Sequence, residues 1–358
     1  MTEPSRVLLN GWKLALFTAA LTGLAACQPA PSTAPEQTAS PSESAPQPAE
    51  KLDFALAIHG GAGVIPKDME PEVVEQHYAG LRAALTHGRD RLAAGASSLD
   101  VVEEVVRMLE DDPLFNAGKG AVFTHEGTNE LDAAIMDGRD LNCGAITGVT
   151  TVRNPVSLAR KVMEESRHIF FAGDGAEAFA DEVGVERVEP EYFFVQRRYD
   201  AWQKLKAERA AEEAAKAEKH GTVGAVALDK EGNLAAATST GGLTDKRFGR
   251  IGDVPVIGAG TYANNKTAAV SCTGWGEKFI RNNVAHDVSA RMAYLGVSVQ
   301  EAAKAVIHET LDPNDGGLIS VSHSGEIAME FNTPGMFRGA ADSTGRFEVG
   351  IWEETRGE

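Results

Sequence analysis

Between Lys204 and His220 the sequence is charged and alanine-rich, and at Gly221-Thr222 it changes without transition into a sheet pattern. Thr222 to Asp229 and Asn233 to Thr240 carry small and branched residues on either side of a glycine-containing turn, "DKEGN". This reads as a buried β-hairpin. With Asp229 and Asn233 flanking a three-residue loop, Thr222 falls directly opposite Thr240, and a slip of one residue would break that pairing. The stretch Lys204 to Lys219 reads instead as an exposed helix with charge pairs at helical spacing. It has almost no apolar face, so nothing holds it to a core. An accessible surface connection thus meets a core strand at Gly221-Thr222. Two readings of the joint stand side by side: a plain loop-to-strand border, or a place where the chain is cut.

The rest of the chain supplies layers for such a hairpin. Leu52 to Val64 is an apolar strand ending in a glycine-rich turn, "HGGAG", that lacks the dinucleotide-binding pattern. Helical patterns follow at Pro71 to Ala94 and at Ser98 to Leu109, the second opened by an N-capping "SSLD". Asp111 to Gly138 reads as a loop and a hairpin, and Cys143 to Val152 as a strand. Asn154 to Glu165 is a helix with proline at its first position. A strand at His168 to Gly173 and a short helix complete this half. Beyond the central hairpin, strands are expected in Pro255 to Asn264 and Lys266 to Glu277, helices at Asn282 to Tyr294 and Ser298 to Glu309, and a hairpin at Gly316 to Thr333. Strands and helices in both halves, with antiparallel hairpins, predict an α/β sandwich with mixed sheets. The 37 glycines agree with many tight turns. A net charge of -18 without any basic stripe excludes a nucleic-acid partner.

Residues 1–50 stand apart from the fold. Arg6 and Lys13 precede an apolar run, Leu14 to Ala26, that is short for a bilayer span and fits a secretory signal. It ends in "LAAC", which looks like a bacterial lipobox, so Cys27 is expected to carry lipid after cleavage at residue 26. Residues 27–50 are rich in Pro, Ser and Ala and read as a disordered tether. Gln28 after the cysteine points to the outer membrane, with the protein facing the periplasm. Cys143 and Cys272 show no disulfide framework and are read as buried thiols. With neither CxxC nor HExxH, zinc has no support, and no cofactor is expected.

The chemistry centres on Thr222. A threonine hydroxyl needs a base, and a free α-amino group, with a pKa near 8, can be that base if threonine begins its chain. Cleavage after Gly221 would create both groups on one residue, and glycine leaves room for the hydroxyl to reach its own preceding carbonyl. Downstream, "STGGLTDKRFGRIGDVP" places Thr240, Arg250 and Asp253 on glycine-rich backbone. Arginine can fork onto a carboxylate and aspartate can hold an ammonium, so the pair suits a zwitterion. It can also be an ordinary surface ion pair. "SCTGWGE" offers Thr273 and the backbone of Gly274 to Gly276 to an oxyanion, or is a plain strand-end turn.

Together with "IHGGAG" and "LFNAGKGAVF", these motifs resemble the plant-type L-asparaginase/isoaspartyl peptidase family of N-terminal-nucleophile hydrolases, from about Phe54 to the C-terminus. The resemblance implies a four-layer αββα sandwich, self-cleavage into an α chain (about 51–221) and a β chain (222–358), and a homodimer of αβ units. It implies Thr222 as nucleophile, Thr240 as the threonine that orients it, and Arg250 and Asp253 as holders of the substrate's α-carboxylate and α-ammonium. Thr273 and Gly274 match the oxyanion site, Gly276 lines the same pocket, and Asn116 matches an asparagine near the nucleophile. A loop with Leu109, Glu110, Asp112, Phe115, Ala117 and Lys119 resembles one whose carbonyls hold a structural sodium ion in some members. The implied substrates are asparagine and β-aspartyl dipeptides. Two alternatives remain: a glycosylasparaginase acting on Asn-linked sugars, and a non-enzymatic lipoprotein binding module. The lipobox, the charged connection and His220 depart from the family pattern.

Overall fold

The computed structural model describes residues 51–211 and 221–357. The expected signal, Cys27, the tether and residues 212–220 lie outside the described residues. Along the chain come β1 (Ala55–Gly63), α1 (Pro71–Ala93), α2 (Ser98–Asp111), β2 (Leu131–Asp137), β3 (Cys143–Val149), α3 (Pro155–Glu165), β4 (Phe170–Ala172), α4 (Gly173–Glu182) and α5 (Gln196–Ala211). After Gly221 follow β5 (Val223–Leu228), β6 (Leu234–Thr240), β7 (Thr261–Ala263), β8 (Ala268–Gly274), α6 (Gly276–Asn282), α7 (Val284–Leu295) and α8 (Val299–Ala305). The last strands are β9 (Gly316–Ser322), β10 (Ile327–Phe331), β11 (Gly335–Asp342), β12 (Phe347–Gly350) and β13 (Thr355–Gly357).

Among the described residues one sheet has the order β13-β12-β11-β1-β5-β6-β2-β3-β4, and a second has β10-β9-β8-β7. Among the described strands, only β3 and β4 pair in parallel. One face of the larger sheet, with Ile58, Val223, Ala225 and Ala237, packs on Leu81, Val102, Val106 and Val156 of α1, α2 and α3. Its other face, with Ala57, Val226 and Ala236, packs on Ile319 and Val321 of the smaller sheet. Val270, Cys272 and Leu318 of that second sheet then pack on Val284, Val288 and Ala302 of α7 and α8. The layers are helix, sheet, sheet, helix, as expected. β5 and β6 lie in the middle with both faces covered, which is why their residues are small and buried throughout, without alternation of exposed and buried positions.

The central hairpin has the expected register. Val223 pairs with Ser239 and Leu228 with Leu234, and Asp229 N donates to Asn233 O at 3.0 Å. One side chain makes the turn: Asp229 Oδ1 accepts from the backbone N–H groups of Glu231 and Asn233, while Gly232 takes a φ of 85°. Asp229 Oδ2 also accepts from Ser98 N, tying the first turn of α2 to the hairpin. α2 is capped as its sequence predicts, with Ser97 Oγ accepting from Asp100 N.

Several expectations change. The hairpin expected before Gly138 is the single strand β2, whose turn-side partner is β3. The residues before it are committed to side-chain-supported turns, such as Asn129 Nδ2 donating to the Ala121 and Val122 carbonyls. The strand expected from Pro255 shrinks to Thr261–Ala263, because Val256 N and Gly258 N close turns onto Asp253 O and Thr261 O. The charged connection is anchored at its start: α5 begins at Gln196 and buries Trp202 and Leu205. Strands β11 to β13 went unanticipated. Cys143 and Cys272 are buried free thiols, and burial raises the pKa of both.

Helix α3 approaches β3 backbone to backbone at Gly144. A Cβ there would stand 1.9 Å from the Ala159 carbonyl oxygen and 2.7 Å from Met163 N. Neither backbone atom can rotate away. Gly144→Ala is therefore expected to lower the unfolding free energy by roughly 3 kcal/mol or more. Chemical denaturation measures this, and a change below about 0.5 kcal/mol would contradict the close packing.

Candidate active site

β5 begins at Val223, so Thr222 is the last residue before a central strand and lies buried, 6% exposed. Its position in the hairpin brings Thr222 and Thr240 together: their hydroxyl oxygens lie 3.3 Å apart. Both converge on the Gly221 carbonyl oxygen, Thr222 Oγ1 at 2.8 Å and Thr240 Oγ1 at 3.1 Å. Asn116 Nδ2 donates to the same carbonyl at 2.8 Å and to Gly242 O at 2.8 Å. Asn116 is itself held, since Val122 N donates to its Oδ1 and Gly241 N to its backbone oxygen. One peptide bond thus carries a hydroxyl at its edge and two further donors on its oxygen.

The glycine-rich turn at the end of β1 closes over this peptide. At Gly61 (φ 114°) a Cβ would come within 3.0 Å of Gly221 Cα and 3.2 Å of Thr222 N. Ala62 N donates to Thr273 Oγ1 at 3.1 Å, which ties the expected oxyanion residue to the same turn. Gly274 takes a φ of 154°, and a Cβ there would meet the Asp315 carbonyl oxygen at 2.2 Å.

Arg250, Asp253 and Gly276 form a second group. A Cβ on Gly276 would lie 2.9 Å from both Arg250 Nη2 and Asp253 Oδ1, so only glycine leaves this surface open. Arg250 Nε and Nη2 fork onto Glu277 at 2.9 and 2.8 Å. Asp253 Oδ2 is buried without a partner. Burial pushes the Asp253 carboxyl up to about 7, against the pull of Arg250 and of its own backbone.

A buried chain of polar groups, missed in the sequence, joins the two groups. His59 Nδ1 donates to Thr222 O at 3.1 Å, and its Nε2 accepts from Ser271 Oγ at 2.9 Å. Ser271 Oγ lies 2.8 Å from Thr238 Oγ1, which lies 2.7 Å from Thr261 Oγ1, and Thr261 reaches Val254 O beside Asp253. Burial drives the His59 pKa down to about 3, so the ring is neutral and keeps one donor and one acceptor. Gly224 makes room for it: a Cβ there would meet Ser271 Oγ at 2.0 Å. The available signal was Ser271 and Glu277 inside "SCTGWGE" and His59 inside "IHGGAG".

The loop from Leu109 to Lys119 wraps the C-terminal end of α2. At Gly118 (φ 47°) a Cβ would meet the Glu110 carbonyl oxygen at 2.5 Å. The Glu110 carboxyl is occupied by Val156 N and Asn154 Nδ2, and burial raises its pKa to about 8. Asp112 Oδ1 accepts from Leu114 N. Among the described residues no cluster of three acidic, histidine or cysteine side chains could hold a metal. What the loop offers a cation is carbonyl oxygen at a helix C-terminus, a donor set suited to a hard ion of low charge.

A four-layer sandwich with a buried hydroxyl at the head of a central strand has the architecture of an N-terminal-nucleophile hydrolase. The chain belongs to the asparaginase family, whose model matches residues 52–351. It is similar to the isoaspartyl peptidase of Escherichia coli K12, 49% identical over 308 residues, which cover 84% of this chain and 96% of that protein. It is also similar to the probable isoaspartyl peptidase/L-asparaginase 2 of Arabidopsis thaliana, at 45% over 84% of this chain and 99% of that one. The isoaspartyl peptidase/L-asparaginase of Rattus norvegicus is 41% identical over 86% and 91%.

The expectation of an outer-membrane lipoprotein facing the periplasm is overturned. Relatives from bacteria, a plant and mammals share this enzyme, and the family match begins only at residue 52, so it lends nothing to an anchor at Cys27. No described helix is long and apolar enough to cross a membrane.

Proposed function

We infer that the protein hydrolyses the β-aspartyl bond of isoaspartyl peptides and the side-chain amide of L-asparagine, releasing aspartate. The observation that carries the reading is the Gly221 carbonyl, held by Asn116 and Thr240 with the Thr222 hydroxyl 2.8 Å from its oxygen. The similarity to isoaspartyl peptidases over most of both chains supports the substrate class.

Maturation comes first. Thr222 Oγ1 attacks the Gly221 carbonyl carbon, its proton passes to Thr222 N, and the C–N bond breaks to leave an ester. Water hydrolyses the ester, giving a Gly221 carboxylate and a Thr222 with free hydroxyl and free amine. In turnover the same oxygen attacks the side-chain carbonyl of the substrate. The amine takes the hydroxyl proton and gives it to the leaving nitrogen. Thr273 and Gly274 stabilise the oxyanion, and water then releases aspartate from the aspartyl ester. Arg250 keeps Nη1 for the substrate's α-carboxylate while Glu277 holds its other edge, and the Asp253 carboxylate takes the α-ammonium. Gly276 leaves room for both. The reaction needs no cofactor. A sodium ion on carbonyls of the Leu109–Lys119 loop would be structural, bracing the turn that carries Asn116. The working unit in this reading is a pair of αβ units.

A panel tests the substrate. Mature protein given asparagine, β-Asp-Leu and a glycosyl-asparagine is expected to release aspartate from the first two and not the third. Release from the glycosyl-asparagine alone would replace this reading with glycosylasparaginase activity.

A further inference from the structure

A cavity of about 190 Å³ opens beside the Gly221-Thr222 peptide, and neither Arg250 nor Asp253 lines it. Its walls include Gly60, Gly61, Asn116, Gly221, Arg197 and Arg198. The two arginines come from the first turn of α5, and each reaches across to the loop that carries Asn116. Arg197 Nη2 donates to Pro113 O, and Arg198 Nη2 to Leu114 O at 3.2 Å. Among the described residues neither pairs with a carboxylate, and Arg198 Nε is buried without a hydrogen-bond partner. His77, on the same wall, is kept below its ordinary pKa by burial and by the two guanidiniums, so it adds no positive charge at neutral pH. Asp112 is the acid that acts on Arg197. Burial and the like charge of Arg197 bring Arg198 down to about 9. Two adjacent guanidiniums, only the first of them felt by an acid, in a chain of net charge -18, are short of an anion.

The cavity also lies where the leaving group must go. Gly61 lines it and stands against Thr222 N, the atom that would hand a proton to the departing nitrogen. In a β-aspartyl dipeptide that nitrogen belongs to an amino acid, and its carboxylate is one carbon away. In asparagine the nitrogen leaves as ammonia and carries nothing further.

We propose that Arg197 and Arg198 form a carboxylate-binding subsite for the residue released from a β-aspartyl dipeptide. The proposal rests on the hydrolase reading above. A second carboxylate could come from the chain itself, since self-cleavage turns Gly221 into a C-terminus on the same wall. The chemistry is shared, and the experiment separates the sources.

The experiment compares mature wild type with Arg197→Ala/Arg198→Ala and Arg197→Lys/Arg198→Lys on β-Asp-Leu, β-Asp-leucinamide and asparagine. The alanine pair is expected to raise KM for β-Asp-Leu roughly tenfold or more, with the amide and asparagine changed less than about twofold. The lysine pair should recover part of the loss. Equal losses on all three substrates would mean that the arginines only brace the Asn116 loop, and would overturn the proposal. An unchanged KM for β-Asp-Leu with slowed self-cleavage would assign the guanidiniums to Gly221 and overturn it as well. Calorimetry with leucine, the released product, needs no turnover. Leucine should bind mature wild type and not the alanine pair, so a protein inactive on both amides would still decide this point.

Discussion

Thr222→Ala is expected to stay a single chain and to release no aspartate, while wild type separates into two chains with the second beginning at Thr222. In the proposed mechanism the substitution removes the one oxygen that both reactions use. Turnover should fall by roughly 10⁴-fold or more, the scale of losing a nucleophile from an assembled site. The fold should survive, because the hydroxyl contributes only contacts to Gly221 O and Thr240, and the strand behind it is held by its own ladder. A destabilisation of about 1 kcal/mol is the expected scale. Thr222→Ser keeps the oxygen and should still cleave. Intact mass of wild type and both variants reads the result directly. An alanine variant that still cuts itself would remove Thr222 from the mechanism and leave the hydroxyl of Thr240 or water to explain the break.

Much of this arrangement could be read along the chain because it is local. The facing of Thr222 and Thr240 follows from a three-residue turn between two arms of small residues, and one aspartate, Asp229, makes that turn. Helix starts were legible for the same reason, as with Ser97 capping α2. The parts that escaped are those brought together from far apart. Asn116 reaches Gly221 across a separation of 105 residues, and His59 reaches Ser271 across 212. No periodicity encodes such contacts, so only resemblance pointed to Asn116, and His59 was visible only as one letter of "IHGGAG". Arg250 and Asp253 were visible as a pair, but Glu277, which clamps Arg250, was not. The start of α5 went unread because its charged tail dominated the pattern, although Trp202 and Leu205 supply the anchor. The anchor expected at Cys27 was a local motif too, and there the comparison with relatives went against it.

Asp253→Asn should separate stability from function. Asp253 is buried, its Oδ2 has no partner, and the nearby charges of Glu277 and Asp132 add to the upward push that burial gives its pKa. The group titrates at about 7 in the folded protein against an ordinary value of 3.8. Between those values the folded state binds more protons than the unfolded state, so this group's contribution to stability falls as pH rises through the window. Above pH 7 the cost of ionising a buried, unpaired carboxylate is fully incurred, and below the unfolded value it vanishes. The asparagine variant has no such cost. Its melting temperature should exceed that of wild type at pH 8, and the difference should shrink to nothing near pH 4. Function runs the other way. A carboxylate that receives an ammonium must be charged, so wild-type KM for asparagine should rise as pH drops below about 7. The variant, with no charge to offer, should lose about 2–4 kcal/mol of transition-state binding, roughly 30- to 1,000-fold in kcat/KM. Self-cleavage should continue, since Asp253 touches neither Gly221 nor Thr222, and the mature chains would show that the loss lies in substrate binding. A variant with wild-type KM at pH 8 would mean that the substrate's ammonium is held elsewhere, and the unpartnered oxygen of Asp132, opposite Thr240 in the sheet, would be the next place to look.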